Sequence, residues 1–235
     1  MPLRGCIFIT GTSRGLGLQL AKEYIDLGYT VIGCSRGDSA FSHERYQHYQ
    51  CDITDEENVK AVFADIRIKK LNPEILVNNA SIDLMSIFAA TKIDDANRVL
   101  KTNVLGTLLI SKEMIKIMQR NGFGRVINFS SVCVSLGSVG SSIYSCSKAG
   151  VEAMAYSLAN ECKSFDITVN TLGISYVEDT GMYDAKSEKV LASLQSQLLK
   201  PDFLRVGEIV KAIDFLGAPE AKNITGQTIY FGGLR

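Results

Sequence analysis

Short apolar runs alternate along the chain with longer segments in which apolar residues recur every three or four positions. The short runs predict buried β-strands, and the longer segments predict helices that cover them. Seven strands are expected, at 6–10, 30–34, 48–52, 75–78, 125–130, 166–172 and 227–231. Helices are expected at 16–27, 55–68 with Thr54 as N-cap, 96–119, 147–163 and 187–199. This alternation predicts an α/β fold, a doubly wound, seven-stranded parallel sheet with helices on both faces.

Composition and charge narrow the class of protein. Of the 235 residues, 46% are hydrophobic, which suits one well-buried domain over 1–235. Lys+Arg and Asp+Glu each number 25, so the neutral balance indicates neither a nucleic-acid nor a membrane partner. The six scattered cysteines and two histidines show no metal-binding spacing, so no metal site is expected. No signal-peptide or membrane-spanning pattern occurs, and a cytoplasmic location is predicted.

A long irregular region follows the sixth predicted strand, at about 173–201. It is rich in Ser, Asp, Lys and Gln, and only its second half shows a helical pattern. Long excursions after a strand are typical of functional loops in this architecture. We therefore expect a substrate lid here.

Three glycines follow the first strand, and a helix begins directly after them. Such a turn lets the backbone approach a pyrophosphate, while the helix N-terminus offers unpaired N–H groups and a positive dipole end. The spacing Gly-x-x-x-Gly-x-Gly predicts a Rossmann-type, dinucleotide-binding domain. The loop residues expected to contact the cofactor are Gly11, Thr12, Ser13, Arg14, Gly15, Leu16 and Gly17.

The end of the second strand is expected to select the nicotinamide cofactor. An NAD site would place an acidic residue there for the ribose hydroxyls, but this chain has Ser35 and Arg36, with Arg14 in the glycine loop. Two guanidinium groups and a hydroxyl suit a 2′-phosphate, so NADP(H) is favoured over NAD(H). In the alternative, Arg36 is a solvated loop charge and Asp38 binds the ribose.

Tyr144 and Lys148 lie four residues apart at the start of a predicted helix, and therefore on one helix face. A phenol has a pKa of about 10 and needs help to exchange a proton at neutral pH. A nearby ammonium favours the phenolate, so we expect Lys148 to lower the pKa of Tyr144. The pair is informative because the same chain carries the dinucleotide loop and, just upstream, Ser131.

With these motifs, the chain resembles the short-chain dehydrogenase/reductase family over nearly its whole length. The resemblance rests on the glycine loop, Asp52 in Cys51-Asp52-Ile53-Thr54, the turn Asn78-Asn79-Ala80-Ser81, Asn103, Ser131 thirteen positions before Tyr144, and Lys148. It implies that Ser131, Tyr144, Lys148 and Asn103 are catalytic. Further cofactor contacts implied by the resemblance are Asp52, Ile53, Asn79, Ala80, Ser81, Tyr144, Lys148, Val177 and Thr180.

The resemblance also implies roles for the four catalytic residues. Ser131 would hold the substrate oxygen, and Tyr144 would transfer its proton. Lys148 would lower the tyrosine pKa and bind the nicotinamide ribose, and Asn103 would anchor a water in a proton relay. Two positions depart from the family pattern: Ser175-Tyr176 stands near the usual Pro-Gly, and Phe231 replaces an aspartate.

The implied activity is hydride transfer between NADPH and a carbonyl substrate, with ketone and alcohol interconverted. The pattern is closest to the 3-oxoacyl-[acyl-carrier-protein] reductase branch, so a 3-oxoacyl thioester is one candidate substrate. The same resemblance implies a homodimer or homotetramer. Residues expected to line the substrate pocket are Asp83, Leu84, Met85, Val132, Cys133, Val139, Ile143, Met182 and Tyr183. The alternative is a non-catalytic NADP(H)-sensing binding protein on the same fold, which the complete catalytic set disfavours.

Overall fold

Seven parallel strands form one sheet at the centre of the computed structural model, which describes residues 5–181, 192 and 195–233. In chain order they are β1 (Cys6–Thr10), β2 (Thr30–Ser35), β3 (Tyr46–Gln50), β4 (Ile75–Asn78), β5 (Phe123–Ser131), β6 (Asp166–Ile174) and β7 (Thr228–Tyr230). Their spatial order is β3-β2-β1-β4-β5-β6-β7. The predicted doubly wound parallel sheet is confirmed.

Helices cover both faces of the sheet. They are α1 (Gly15–Asp26), α2 (Glu56–Ile68), α3 (Ile93–Leu100), a π-helical segment (Lys101–Gly106), α4 (Thr107–Asn121), α5 (Cys133–Leu136), α6 (Ser142–Glu161) and α7 (Val206–Gly217). Two single 3₁₀ turns lie at Phe88–Ala90 and Pro219–Ala221. Among the described residues, no helix is both long and apolar enough to cross a bilayer.

Alternation along the strands divides the core into two layers. In β1, Phe8 points to the layer beneath α2, α4 and α6, whereas Ile7 and Ile9 point to the layer beneath α1 and α7. Because successive side chains of a strand face opposite ways, a strand buried on both faces needs apolar residues at every position. This is why β1 and β4 are continuous apolar runs rather than alternating ones.

Arg125 anchors the amino-terminal edge of the sheet, opposite the end at which the strands finish. Its side chain is fully buried on β5 and lies 2.9 Å from a carboxylate oxygen of Asp166 on β6. Its guanidinium also donates to the carbonyl oxygens of Gly124, Asp166, Ala218 and Pro219 at 2.8–3.3 Å. A buried guanidinium is stable only when its donors are paired, so Arg125 joins β5 and β6 to the end of α7.

Several predicted boundaries are wrong. The expected helix 96–119 is divided by the π-helical segment, and the helix expected from 147 starts at Ser142, so that Tyr144 lies inside it. The N-cap of α2 is Asp55, not Thr54, because the Asp55 carboxylate accepts from the N–H groups of Glu57 and Asn58. Helix α7 was not predicted, and β3 lies two residues earlier than expected. The predicted helix 187–199 falls largely outside the described residues.

Candidate active site

A cleft of about 1430 Å³ opens where the strands end, and its walls come from the loops after β1, β2, β4, β5 and β6. The strand order reverses between β1 and β4, since β2 lies on one side of β1 and β4 on the other. Ligands of open parallel sheets bind in the crevice at such a switch point. The cleft therefore lies where the sheet topology predicts a cofactor.

The glycine loop forms the floor of the cleft at the N-terminus of α1. Gly11 has a φ of +77°, which glycine adopts without strain. A Cβ atom on Gly17 would overlap the carbonyl oxygen of Gly11, so only glycine lets the helix start so close to the loop. The predicted loop residues that line the cleft are Gly11, Ser13, Arg14, Gly15, Leu16 and Gly17. Thr12 is instead fully buried, and its hydroxyl accepts a 2.9 Å hydrogen bond from Tyr46.

The turn after β4 is tied directly to the end of β1. The Thr10 hydroxyl accepts from the N–H groups of Asn79 and Ala80, at 3.0 and 2.9 Å. The Asn79 amide in turn donates to the Thr10 carbonyl at 2.8 Å. Asn79, Ala80 and Ser81 all line the cleft, as predicted for cofactor contacts. These hydrogen bonds fix the loop after β1 and the loop after β4 relative to each other, on either side of the switch point.

The predicted 2′-phosphate residues lie at one end of the cleft. Ser35, Arg36 and Arg14 all line it, and both arginines are solvent-exposed. The Ser35 hydroxyl donates to the Gly37 carbonyl and lies 2.8 Å from His48 Nε2, a partner that the sequence analysis missed. Asp52 and Ile53, predicted to contact the cofactor, line the same end together with Cys51 and Thr54.

The predicted catalytic residues converge at the other end. Ser131 is the last residue of β5, and Tyr144 and Lys148 lie in the first two turns of α6. Their exposed fractions are 7%, 8% and 4%, and all three line the cleft. Ser131 lies near enough to Tyr144 to influence the pKa of the phenol. Lys148 Nζ donates to the Phe129 carbonyl at 2.9 Å and lies 5.7 Å from the centroid of the Tyr144 ring.

Burial controls the titration of this pair. It raises the pKa of Tyr144 above that of a free phenol, and the nearby Asp83 and Cys133 raise it further, whereas Ser131 acts to lower it. Burial also lowers the pKa of Lys148 to about 8, against the attraction of Asp83. The expectation that Lys148 gives Tyr144 a lowered pKa is wrong for this arrangement, because the loss of solvation raises the pKa of the buried phenol.

Asn103 occupies the π-helical segment, where its side chain is 1% exposed. Its amide oxygen accepts from the Ile82 N–H at 2.9 Å, and its amide nitrogen donates to the Ile82 carbonyl and the Ser147 hydroxyl, both at 3.0 Å. The side chain thus fastens the loop after β4 to α6. The predicted relay water would need another atom of Asn103, whose backbone carbonyl already accepts from the Thr107 hydroxyl at 2.8 Å.

The segment after β6 closes over the glycine loop. Thr180 lines the cleft, and its carbonyl oxygen would lie 2.9 Å from a Cβ atom on Gly15. Val177, also predicted to contact the cofactor, is buried in the core and pairs with Leu204 instead of lining the cleft. Met182, Tyr183 and the middle of the predicted lid fall outside the described residues.

Glu152 is a supporting residue that the sequence analysis missed. It lies one turn after Lys148 on α6, and one of its carboxylate oxygens accepts from both Ser130 and Tyr230, the latter at 2.7 Å. Ser130 directly precedes Ser131, so this carboxylate ties the strand that carries Ser131 to the helix that carries Lys148. The four-residue spacing of Lys148 and Glu152 was the available signal.

The site contains no recognisable metal centre in the described ranges, since no three His, Cys, Asp or Glu side chains there converge in a way that could hold an ion. The substrate end instead presents two hydroxyls, an ammonium and the carboxylate of Asp83. Two hydroxyls at the same buried end of a cleft can hold a carbonyl oxygen, and one of them can transfer a proton to it. The geometry suits acid–base chemistry beside a bound dinucleotide.

Comparison with known proteins agrees with this geometry. A family model described as short chain dehydrogenase matches residues 5–191. The 3-oxoacyl-[acyl-carrier-protein] reductase FabG of Vibrio harveyi is 32% identical over 240 residues, which cover 99% of this chain and 98% of that protein. The solved structure of ElxO with NADP bound is 28% identical, with a TM-score of 0.87 and 97% of each chain covered. A short chain dehydrogenase from Leptospira borgpetersenii with bound NAD+ is 22% identical, with a TM-score of 0.89 and coverage of 98% of this chain and 92% of that one.

Proposed function

The chain belongs to the short-chain dehydrogenase family and is a nicotinamide-dependent oxidoreductase of alcohol or carbonyl groups, and from this premise we propose that it reduces a ketone with NADPH. The observation that carries the proposal is the convergence of the buried Ser131 and Tyr144 side chains with Lys148 at the substrate end of the cleft. The nicotinamide supplies the hydride when it is bound. The residues around it hold the carbonyl and deliver the proton.

The substrate oxygen would accept hydrogen bonds from Ser131 and Tyr144 together. As negative charge develops on that oxygen, the two fixed donors stabilise it, because they need no reorganisation at the moment of reaction. Tyr144 then donates its proton to the oxygen. Lys148 stands behind the phenol and supplies positive charge next to the phenolate that this step leaves.

Proton donation is the direction that the titration of Tyr144 supports. Because burial raises the pKa of this phenol, Tyr144 is protonated at neutral pH and ready to act as a general acid. Oxidation of an alcohol would instead require the phenolate as a base. The protonated phenol, which burial favours, is the form that carbonyl reduction requires at pH 7.

The adenosine end of the cleft supports NADPH over NADH. Arg14, Ser35 and Arg36 line it and would give a 2′-phosphate two cations and a hydroxyl. Asp38, the residue that would serve the ribose hydroxyls of NAD, is exposed and is not among the described residues that line the cleft. The glycine loop also fits the group, since a Cβ atom on Gly17 would fill the space in which the helix meets the loop.

The first substrate class to test is the 3-oxoacyl thioester, which is named for the relative from Vibrio harveyi. A cytoplasmic homodimer or homotetramer is the accompanying proposal. Large apolar side chains are exposed on the π-helical segment, α4 and α6, namely Leu105, Leu108 and Tyr156, and they support an assembly. Light scattering coupled to size-exclusion chromatography measures the oligomeric state directly.

The cofactor proposal is tested by fluorescence titration of NADPH and NADH. Arg36→Ala removes a charge-assisted hydrogen bond to the 2′-phosphate, so we expect NADPH to bind roughly 10- to 100-fold more weakly and NADH to bind as before. The matched control is Arg120→Ala, which changes an exposed arginine on α4 away from the cleft. Equal NADH and NADPH affinities in the wild type would refute the 2′-phosphate site.

The catalytic proposal is tested by Tyr144→Phe with a panel of ketones that includes a 3-oxoacyl thioester. Losing the proton donor should lower kcat roughly 10²- to 10⁴-fold and leave the Kd of NADPH unchanged. If the wild-type protein binds NADPH tightly but reduces no member of the panel, the cofactor-sensing alternative replaces the enzyme.

A further inference from the structure

The carboxylate of Asp83 lies at the substrate end of the cleft. Proton transfer from the Tyr144 phenol does not require a carboxylate there. Asp83 lines the cleft in the same wall as Asn79, Ala80, Ser81 and Ile82, the residues that follow β4. Ser131, Tyr144 and Lys148 line this same cleft. Its side chain is partly exposed, so it can meet a substrate.

Two anchors fix the backbone on either side of Asp83. On one side, the Asn103 amide makes two hydrogen bonds to the backbone of Ile82, at 2.9 and 3.0 Å. On the other, the Ser86 N–H donates to the Gly140 carbonyl at 2.9 Å, just before α6 begins. The backbone that carries Asp83 is therefore held in place, which a selective binding site requires.

The electrostatic neighbours of Asp83 place its charge at the reacting end rather than at the adenosine end. Burial is the main cause of the raised pKa values of Tyr144 on α6 and Tyr176 after β6, and the Asp83 carboxylate adds to both. The carboxylate also opposes the fall in the pKa of Lys148 that burial causes. Tyr144 is 8% exposed and Tyr176 is 5% exposed, so the carboxylate acts in a poorly solvated region. A charge in such a region acts more strongly on a ligand than it would in water.

Resting on the proposed carbonyl reduction, we propose that Asp83 is a specificity residue that selects ketones carrying a positively charged nitrogen near the carbonyl. A fixed carboxylate in a partly desolvated pocket attracts an ammonium, accepts its hydrogen bond and repels a substrate carboxylate. The cationic end of the substrate lies against Asp83, and the carbonyl lies against Ser131 and Tyr144. A neutral ketone of the same shape binds without this contact and is the weaker substrate.

The competing role for Asp83 is to balance the charge of Lys148, with no contact to the substrate. The two roles predict different results for Asp83→Asn, which keeps the size of the side chain and removes its charge. A substrate contact changes the ranking of ligands by charge. A role through Lys148 lowers the rate with every ligand by the same factor and shifts the pH profile of kcat.

The test uses three cyclohexanones that differ only opposite the carbonyl, where they carry a dimethylamino, a methyl or a carboxylate group. A tertiary amine is protonated at neutral pH and cannot condense with a carbonyl. Calorimetry measures the Kd of each ketone for the complex of the protein with NADP+, in which no reduction occurs, and kcat/KM is measured with NADPH. The proteins are the wild type, Asp83→Asn and a control, Asp94→Asn, which changes an exposed carboxylate on α3.

In the wild type we expect affinity and kcat/KM to fall from the dimethylamino to the methyl to the carboxylate compound, by about tenfold or more at each step. For Asp83→Asn, the preference for the dimethylamino over the methyl compound, in affinity and in kcat/KM, should fall at least about tenfold. The values for the methyl compound should stay within a fewfold of those of the wild type. Asp94→Asn should keep the wild-type ranking. An unchanged ratio in Asp83→Asn, or an equal loss for all three ketones, overturns the proposal. Binding in the expected order without reduction would refute the proposed function and leave the specificity role standing, whereas reduction without a charge preference would do the reverse.

Discussion

Lys148 should destabilise the folded protein at neutral pH. Its side chain is 4% exposed, and burial lowers its pKa from 10.5 to about 8. At about 1.4 kcal/mol for each pH unit, that fall corresponds to an upper limit of roughly 3 kcal/mol. Below pH 8 the folded protein carries this penalty in full, since the ammonium is charged in both the folded and the unfolded state but solvated only in the unfolded one.

The sign of the pH dependence follows from proton binding. Between the two pKa values, the unfolded chain holds more protons on Lys148 than the folded protein does, so the free energy of unfolding rises with pH from about 8 to 10.5. Lys148→Met removes the charge and also the hydrogen bond to the Phe129 carbonyl, which contributes about 1 kcal/mol. We expect the variant to be more stable than the wild type by roughly 2 kcal/mol at pH 7, with the advantage lost as the pH approaches 10.5.

Urea unfolding followed by circular dichroism, at several pH values from 7 to 10, measures this difference without substrate or cofactor. Lys211→Met, which changes an exposed lysine on α7, is the matched control and should show no such trend. Lys148→Met should also lose catalytic activity. Functional groups held in a buried, charged state commonly reduce stability, so the gain in stability and the loss of activity would have the same cause. A stability difference between Lys148→Met and the wild type that stays constant from pH 7 to pH 10 would refute the reasoning.

Two further substitutions test the cofactor loop and the frame beneath it. Gly17→Ala should weaken NADPH binding roughly 10- to 100-fold, because its Cβ would push the loop away from the helix. Gly207→Ala, on α7 and outside the cleft lining, meets no atom within 4 Å and should leave NADPH binding unchanged. Fluorescence titration compares them, and equal affinities would contradict the close-approach argument. Arg125→Met should lower the free energy of unfolding by about 3 kcal/mol, because it leaves carbonyl groups and the Asp166 carboxylate without their buried partner. Urea unfolding measures that loss, and a midpoint equal to that of the wild type would show that the buried guanidinium contributes nothing.

The sheet was predictable because its strands are short, buried and apolar at every position. The bounds of β1 and β4 agree with the prediction to the residue, since polar or glycine residues flank both runs. The division of the long helix before β5 was not predictable, because tertiary contacts shape it rather than composition. Gly106 there packs so tightly that a Cβ atom would lie 2.7 Å from the Ile53 side chain.

The candidate site was predictable as a set of residues but not as an electrostatic environment. Spacing alone brings Tyr144 and Lys148 together, and the structure adds Ser131 from the adjacent strand. The spacing gives no measure of burial, however, and burial sets the direction of both pKa shifts. Asp83 was expected in the substrate pocket, but its effect on the pKa values of Tyr144 and Lys148 was not. The bonds from Ser130 and Tyr230 to Glu152 likewise join segments far apart in sequence, which a reading of local motifs does not connect.

The π-helical segment Lys101–Gly106 makes chain length, as well as residue type, a determinant of the active site. It amounts to one extra residue in a helix that otherwise runs from α3 into α4. An α-helix turns by about 100° per residue, so a single deletion there would rotate α3 against α4 by about that angle. The Asn103 amide would then turn away from Ile82. The sequence would nevertheless still contain every residue that lines the cleft. In this protein, a gap of one residue in that helix would be a functional change that no comparison of site residues alone would detect.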